Sequence, residues 1–190
     1  MTFQPTTDEL IGRNAQYAAE SHDSELQVQP KRQLAIVTCM DSRIDTLAIL
    51  GLGNGDAHTI RNAGGVITDD VIRSLCLSQR FLGTREIVLV HHTDCGLQSV
   101  DEAGFRAELN EELGVKPRWS LETFPDPFDD VRQSIQRLHI TPFIPHKDQI
   151  RGFVYDVTTG LLDEVKAGRP TGDDDSARSS VVGQEPERRS

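Results

Sequence analysis

Residues 34–43 carry the sequence LAIVTCMDSR, and together with IVLVHHTDCG at residues 87–96 they decide the fold of this chain. Each stretch begins with a short apolar run rich in β-branched residues, which is typical of a strand covered on both faces in a parallel sheet. Each run then ends abruptly in residues that can bind a metal ion. Because the carboxyl ends of parallel strands meet at one edge of a sheet, we expect the two ends to lie side by side.

The length and composition of the chain predict a single acidic domain. The 190 residues suit one hydrophobic core, and the formal net charge of −10 argues against a nucleic-acid partner, which requires a basic surface. The apolar runs are far shorter than the roughly 20 residues that cross a bilayer, and the N-terminus lacks the pattern of a signal peptide. We therefore expect a soluble cytoplasmic protein that binds no membrane.

The three cysteines of the chain do not form a disulfide framework, because the cytoplasm keeps thiols reduced and an odd number leaves one unpaired. Metal binding, catalysis or burial must explain them. For Cys76, which lies on the apolar side of a predicted helix, we expect the role of a small buried hydrophobic residue.

Hydrophobic periodicity and turn residues predict an α/β domain over residues 1–168, with a mostly parallel central sheet flanked by helices. An N-terminal helical arm precedes the sheet, and a C-terminal hairpin adds an edge strand that is antiparallel to its neighbour. Residues 169–190 are polar and rich in serine, arginine and aspartate, so we expect a disordered tail. The predicted strands are 34–38, 57–60, 87–90, 150–157 and 161–165, and the predicted helices after the arm are 44–50, 68–82, 101–113 and 128–138.

Cys39, His92 and Cys95 form the candidate metal site. Thiolate and imidazole are preferred zinc ligands, and catalytic zinc sites use three protein ligands and leave the fourth position to water. The sequence offers no second Cys-x-x-Cys pair that would complete a structural four-ligand site. His91 points to the other face of its strand and is expected to be an ordinary core or surface histidine. The alternative for each cysteine is plain burial at a strand end.

Asp41 and Arg43 follow Cys39 so closely that they are candidate catalytic residues. The planar Arg43 guanidinium can hold Asp41 ionised and turned away from the metal, although an ordinary turn salt bridge would look the same in the sequence. Zinc lowers the pKa of its bound water toward about 7, which makes hydroxide available as a nucleophile. The expected reaction is addition of hydroxide to a small electrophilic carbon. We assign no chemistry to Asp94.

Two rival interpretations can be compared with this one. A thiol phosphatase also places a cysteine after an apolar strand, but it needs Cys-x5-Arg, and Arg43 lies only four residues after Cys39. That spacing excludes the phosphatase. A non-catalytic protein with a structural zinc stays possible if Asp41 permanently fills the fourth metal position.

In combination, the motifs resemble those of the β-class carbonic anhydrases, in particular the short archaeal and mycobacterial members. The matching segments are Cys39-Met40-Asp41-Ser42-Arg43, Arg61-Asn62-Ala63-Gly64-Gly65 and His92-Thr93-Asp94-Cys95-Gly96. The resemblance implies reversible hydration of carbon dioxide by an enzyme with one Zn²⁺ per chain, bound by Cys39, His92 and Cys95.

The resemblance has further implications for the site and its partners. It implies a dyad of Asp41 and Arg43, substrate contacts at Gly64, Gly65 and Gly96, and a homodimer that can assemble into a tetramer. In some members Asp41 would replace water on the zinc in a closed state. Closed members with a bicarbonate effector site use a tryptophan near the first motif, whereas Trp119 lies far from it, so we favour the open site. Some short relatives hydrolyse carbonyl sulfide or carbon disulfide with the same ligands.

Overall fold

The structure is a computed structural model and describes residues 4–166. The predicted tail at 169–190 and the predicted domain boundary at 168 lie outside the described residues. The strands are β1 Leu34–Cys39, β2 Ala57–Asn62, β3 Glu86–His92, β4 Ile150–Tyr155 and β5 Leu162–Val165, and the helices are α1 Thr7–Glu20, α2 Thr46–Ile49, α3 Asp69–Phe81, α4 Glu102–Leu113 and α5 Pro127–Ile140.

The five strands form one sheet in the order β2-β1-β3-β4-β5. The first four strands are parallel, and β5 pairs antiparallel with β4 as the second strand of a hairpin. Every residue of β1 is buried, as expected for a strand covered on both faces. The predicted α/β class, the mostly parallel sheet, the antiparallel edge strand and the neighbouring positions of β1 and β3 are all confirmed.

Helices α3 and α5 cover one face of the sheet and bury the main core. Buried residues of β1, β3 and β4 pack there against Val71 and Leu75 of α3 and Val131 and Ile135 of α5. Strand β4 carries Gly152 at this contact, since a Cβ there would lie 2.2 Å from Cγ1 of Val131. The close approach of α5 therefore depends on a missing side chain.

Local capping explains where the helices begin and end. The Thr68 hydroxyl accepts from the amide of Val71 at the start of α3. Helix α2 is shorter than the predicted 44–50, because Asp45 caps it from within that range and accepts from Ala48. At the start of α1, the Thr6 side chain makes no capping hydrogen bond. Among residues 4–166, no helix combines the length and the apolar character needed to cross a bilayer.

Candidate metal centre

Cys39, His92 and Cys95 meet at the carboxyl edge of the sheet. Cys39 is the last residue of β1, His92 is the last residue of the adjacent β3, and Cys95 lies in the turn that follows. Their ligand atoms lie within 4.8 Å of one another, and all three residues are buried. The structure thus brings together the three side chains that the sequence selects as metal ligands.

The His92 ring is oriented and set in one tautomer by its backbone neighbour. Its Nδ1 donates a hydrogen bond to the carbonyl oxygen of Thr93 at 2.9 Å, so Nε2 carries a free electron pair. That Nε2 atom is buried and has no hydrogen-bond partner in the described part of the chain. A buried polar atom without a partner is costly, and a bound metal ion would satisfy it.

The two thiols are arranged to carry negative charge. The neighbouring Cys95 thiol lowers the pKa of Cys39 to about 4, against the opposing effect of burial. The interaction with Cys39 and burial raise the pKa of Cys95. Two sulfurs and one imidazole suit Zn²⁺ better than magnesium or calcium, which prefer oxygen ligands. The residues present fit a zinc ion.

Asp41 and Arg43 form a two-point ion pair beside these ligands. Arg43 Nε donates to Asp41 Oδ1 at 3.0 Å, and Arg43 Nη2 donates to Asp41 Oδ2 at 2.8 Å. These hydrogen bonds hold the pKa of the Asp41 carboxyl well below its usual range. Asp41 Oδ2 lies 3.8 Å from His92 Nε2, so the carboxylate is ionised and close to the atom that would face a metal.

Asp94 and Arg61 hold this arrangement in place, and sequence reasoning missed both. Arg43 also donates from Nη1 to Asp94 Oδ2 at 2.7 Å and from Nη2 to the Asp94 carbonyl at 2.8 Å. Arg61 donates to the carbonyls of Cys39 and Asp41 at 3.0 and 2.8 Å. The one sequence indication is that aspartate tolerates the left-handed backbone found at Asp94, where φ is 55°.

The predicted glycine turn packs directly against the ligand-bearing strand. Gly65 has φ 76°, and a Cβ there would lie 2.9 Å from the backbone nitrogen of Cys39. A Cβ at Gly64 would lie 2.6 Å from Cδ2 of Leu97, while the space around Gly96 is open. Gly65 therefore lets the turn approach the candidate ligand Cys39 closely, and Gly64 lets it pack against Leu97. Their predicted contacts with substrate, and that of Gly96, stay predictions.

An apolar wall surrounds the two cysteines. It consists of four buried side chains from separate segments, which are Ile44, Val66, Leu97 and Phe124. Tyr155 packs against them. Phe124 was not expected from the sequence, since it lies in a proline-rich loop far from either motif. Apolar side chains of this kind favour binding of a small uncharged molecule over a large polar substrate.

Cys76 and His91 lie outside the cluster of candidate ligands. Cys76 is partly buried and packs against the main core, as predicted. His91 is fully buried and points to the face opposite His92, where its Nε2 lies 2.6 Å from Asp130 Oδ2. Its Nδ1 has no hydrogen-bond partner among the described residues, so the predicted core histidine is only half satisfied.

Comparisons with known proteins bear on this site. The sequence profile of the family described as carbonic anhydrase matches residues 34–120, a range that contains all three candidate ligands. β-Carbonic anhydrase 1 of Mycobacterium tuberculosis is 49% identical over 159 residues, which cover 84% of this chain and 97% of that protein.

Two further matches extend the comparison. Carbon disulfide hydrolase of Acidithiobacillus thiooxidans is 33% identical over 160 residues, which cover 73% of this chain and 79% of that protein. The crystal structure of a carbonic anhydrase from Streptococcus mutans is similar with a TM-score of 0.80 and 44% identity, and the match covers 87% of this chain and 100% of that one.

Proposed function

Because this chain belongs to the β-carbonic anhydrase family of lyases, we propose that it catalyses the reversible hydration of carbon dioxide to bicarbonate and a proton. One zinc ion per chain would be held by Cys39, His92 and Cys95. The observation that carries the proposal is the buried His92 Nε2, which has no partner among the described residues, on a side chain that offers a ligand atom within 4.8 Å of two thiol sulfurs. A zinc ion held there would give the His92 Nε2 atom a partner.

Zn²⁺ bound there would act as a Lewis acid that lowers the pKa of a water molecule. The residues of the chain do the rest. Asp41, held ionised by Arg43, is placed to accept a hydrogen bond from the attacking water and so to orient it. The wall around Val66, Leu97 and Phe124 keeps bulk water away and suits a linear apolar substrate.

Hydrolysis of carbon disulfide or carbonyl sulfide is the second candidate function. It is favoured by the 33% identity to a carbon disulfide hydrolase, and both substrates are linear, apolar and open to attack at carbon. The 49% identity to a β-carbonic anhydrase, over nearly the whole of that protein, favours carbon dioxide instead.

Stopped-flow turnover of carbon dioxide, beside carbonyl sulfide and carbon disulfide, on one purified sample tests the choice between these substrates. We expect kcat/KM for carbon dioxide to exceed the values for carbonyl sulfide and carbon disulfide by at least roughly tenfold. A single group that fits a pocket poorly changes the ratio of kcat/KM values between two substrates by about this factor. A higher value for either sulfur compound would contradict the proposed substrate. Absence of turnover with all three would favour the structural-zinc alternative.

We further propose that the protein is a homodimer, with tetramers as a further assembly, located in the cytoplasm. Helix α1 has no buried residue, and it exposes 57% of Leu10 and 64% of Ile11. An apolar helix surface of this kind is typical of a segment that a partner chain covers. The free thiols of Cys39, Cys76 and Cys95 agree with a reducing compartment.

Sedimentation velocity on the full chain at micromolar concentration should show two chains per particle. The double variant Leu10→Glu/Ile11→Glu should shift the protein toward the monomer, because buried charges oppose association. Gln16→Glu is the matched control, since Gln16 lies on the opposite side of the helix at 100° per residue. A wild-type monomer, or equal shifts in the two variants, would show that α1 does not form the interface.

A further inference from the structure

The Arg43 guanidinium connects two carboxylates, although catalysis as proposed uses only one of them. Asp41 accepts from Nε and Nη2, and Asp94 accepts from Nη1 through its side chain and from Nη2 through its carbonyl. We propose that Asp94 is a positioning residue that keeps Arg43, and through it Asp41, in the arrangement that leaves the fourth metal position free for water. This inference rests on the proposed function.

Asp41 needs to be restrained because it is itself a competent zinc ligand. Its Oδ2 lies 3.8 Å from His92 Nε2, and carboxylate oxygens bind zinc at about 2.0 to 2.2 Å. A modest rotation toward the ion would therefore complete a four-ligand site and exclude water. The two side-chain hydrogen bonds from Arg43 oppose this rotation, together with one from its backbone amide to Asp41 Oδ1 at 2.9 Å, so the position of the Arg43 guanidinium shifts the balance between the open and closed states.

Arg43 needs support in turn, because its side chain is 44% exposed and a long cation at the surface is ordinarily mobile. Asp94 supplies that support from the other motif, 51 positions along the chain. The left-handed backbone at Asp94 brings its carbonyl and its carboxylate to the same guanidinium. Arg43 is thereby fixed at two points on each side.

The Asp94 carboxylate is 79% exposed, so its contribution is that of a surface ion pair. Such a pair is worth roughly a two- to fivefold change in an equilibrium. We therefore expect a partial shift toward the state in which Asp41 occupies the metal position when Asp94 is removed, not complete closure. A binding measurement can resolve a change of this size.

The test uses the full-length protein loaded with Co²⁺ in place of zinc, with azide as a probe of the free metal position followed by visible absorption. Asp94→Gly removes the carboxylate and keeps a left-handed backbone without strain. Its azide affinity should fall roughly two- to fivefold, and its kcat for carbon dioxide with zinc should fall by a similar factor. Azide is an anion, so removing the negative charge of Asp94 would by itself raise azide affinity. A fall in azide affinity therefore cannot be a direct electrostatic effect of that charge.

Three further variants complete the design. Asp94→Asn keeps a neutral acceptor and tolerates the backbone, so it should restore part of the azide affinity. Asp41→Asn/Asp94→Gly should bind azide no more weakly than Asp41→Asn, because the competing carboxylate is gone in both. Asp70→Asn, which breaks an exposed ion pair with Arg73, should match the wild type.

Unchanged or higher azide affinity in Asp94→Gly would overturn the positioning role. It would do so without affecting the proposed function, if the wild-type protein binds metal and turns over carbon dioxide. A fall that persists between Asp41→Asn and Asp41→Asn/Asp94→Gly would overturn it as well, because the effect would not pass through Asp41. A wild-type protein that takes up neither metal would overturn both this inference and the proposed function.

Discussion

Cys39→Ser and Cys95→Ser are each expected to lose the bound zinc and, with it, carbon dioxide turnover by roughly 100-fold or more. Removing an outer partner of a metal ligand costs 10- to 100-fold in metal affinity or activity, and removing a thiolate ligand itself costs at least as much. Zinc per chain, measured by mass spectrometry of the purified protein, should fall from about one toward zero, and stopped-flow assays should show the matching loss of activity.

The third cysteine of the chain provides the control. Cys76→Ser alters a partly buried thiol that packs against the main core, away from the ligand cluster. It should keep about one zinc per chain and wild-type turnover, with at most a modest loss of stability. Full metal content and activity in Cys39→Ser or Cys95→Ser would refute the ligand assignment.

Arg43→Ala is expected to retain most of the zinc and to lose roughly 10- to 100-fold in kcat. The three candidate ligands stay in place, but Asp41 loses both side-chain hydrogen bonds from Arg43 and keeps only the one from the backbone amide of residue 43. Water would then be oriented poorly or displaced, and positioning effects of this kind are worth about this factor. Zinc content and stopped-flow turnover on the same sample separate the two effects.

Arg73→Ala is the matched control for Arg43→Ala, since Arg73 makes an exposed ion pair with Asp70 on α3. It should change kcat by less than roughly twofold. An equally small effect for Arg43→Ala would mean that the Asp41–Arg43 pair is an ordinary surface salt bridge. Asp41→Ala tests the structural-zinc alternative, because a non-catalytic protein has no carbon dioxide turnover for this variant to lose.

The sheet and the metal ligands were open to prediction because both depend on local patterns. Apolar runs bounded by ligand residues mark β1 and β3, and parallel pairing places their ends together. The Arg43 contacts with Asp94 and the Arg61 contacts with the β1 end could not be predicted in this way. They join segments that are 51 and about 20 positions apart, with no periodicity to mark them.

The wall of the site escaped prediction for a similar reason. Phe124 lies in a loop whose sequence shows only proline and aromatic residues, and its burial beside Gly64 and Leu97 is a product of tertiary packing. The shortened α2 shows a second limit of prediction from hydrophobic periodicity. The apolar pattern covers residues 44–50, but Asp45 is the N-cap, so the helix begins only at Thr46. Capping residues can thus override periodicity by two positions.

The candidate ligands are contributed by two strands separated by about fifty residues of chain, and those strands meet only through native pairing of β1 with β3. A nascent polypeptide therefore cannot complete the three-ligand arrangement until both strands have emerged and docked. Loading of the proposed zinc ion would then come last in maturation, and an ion that binds only the native chain stabilises it by an amount that grows with the logarithm of the free ion concentration. Occupancy at this position would then serve as a measure of how many molecules in a preparation have reached their finished state.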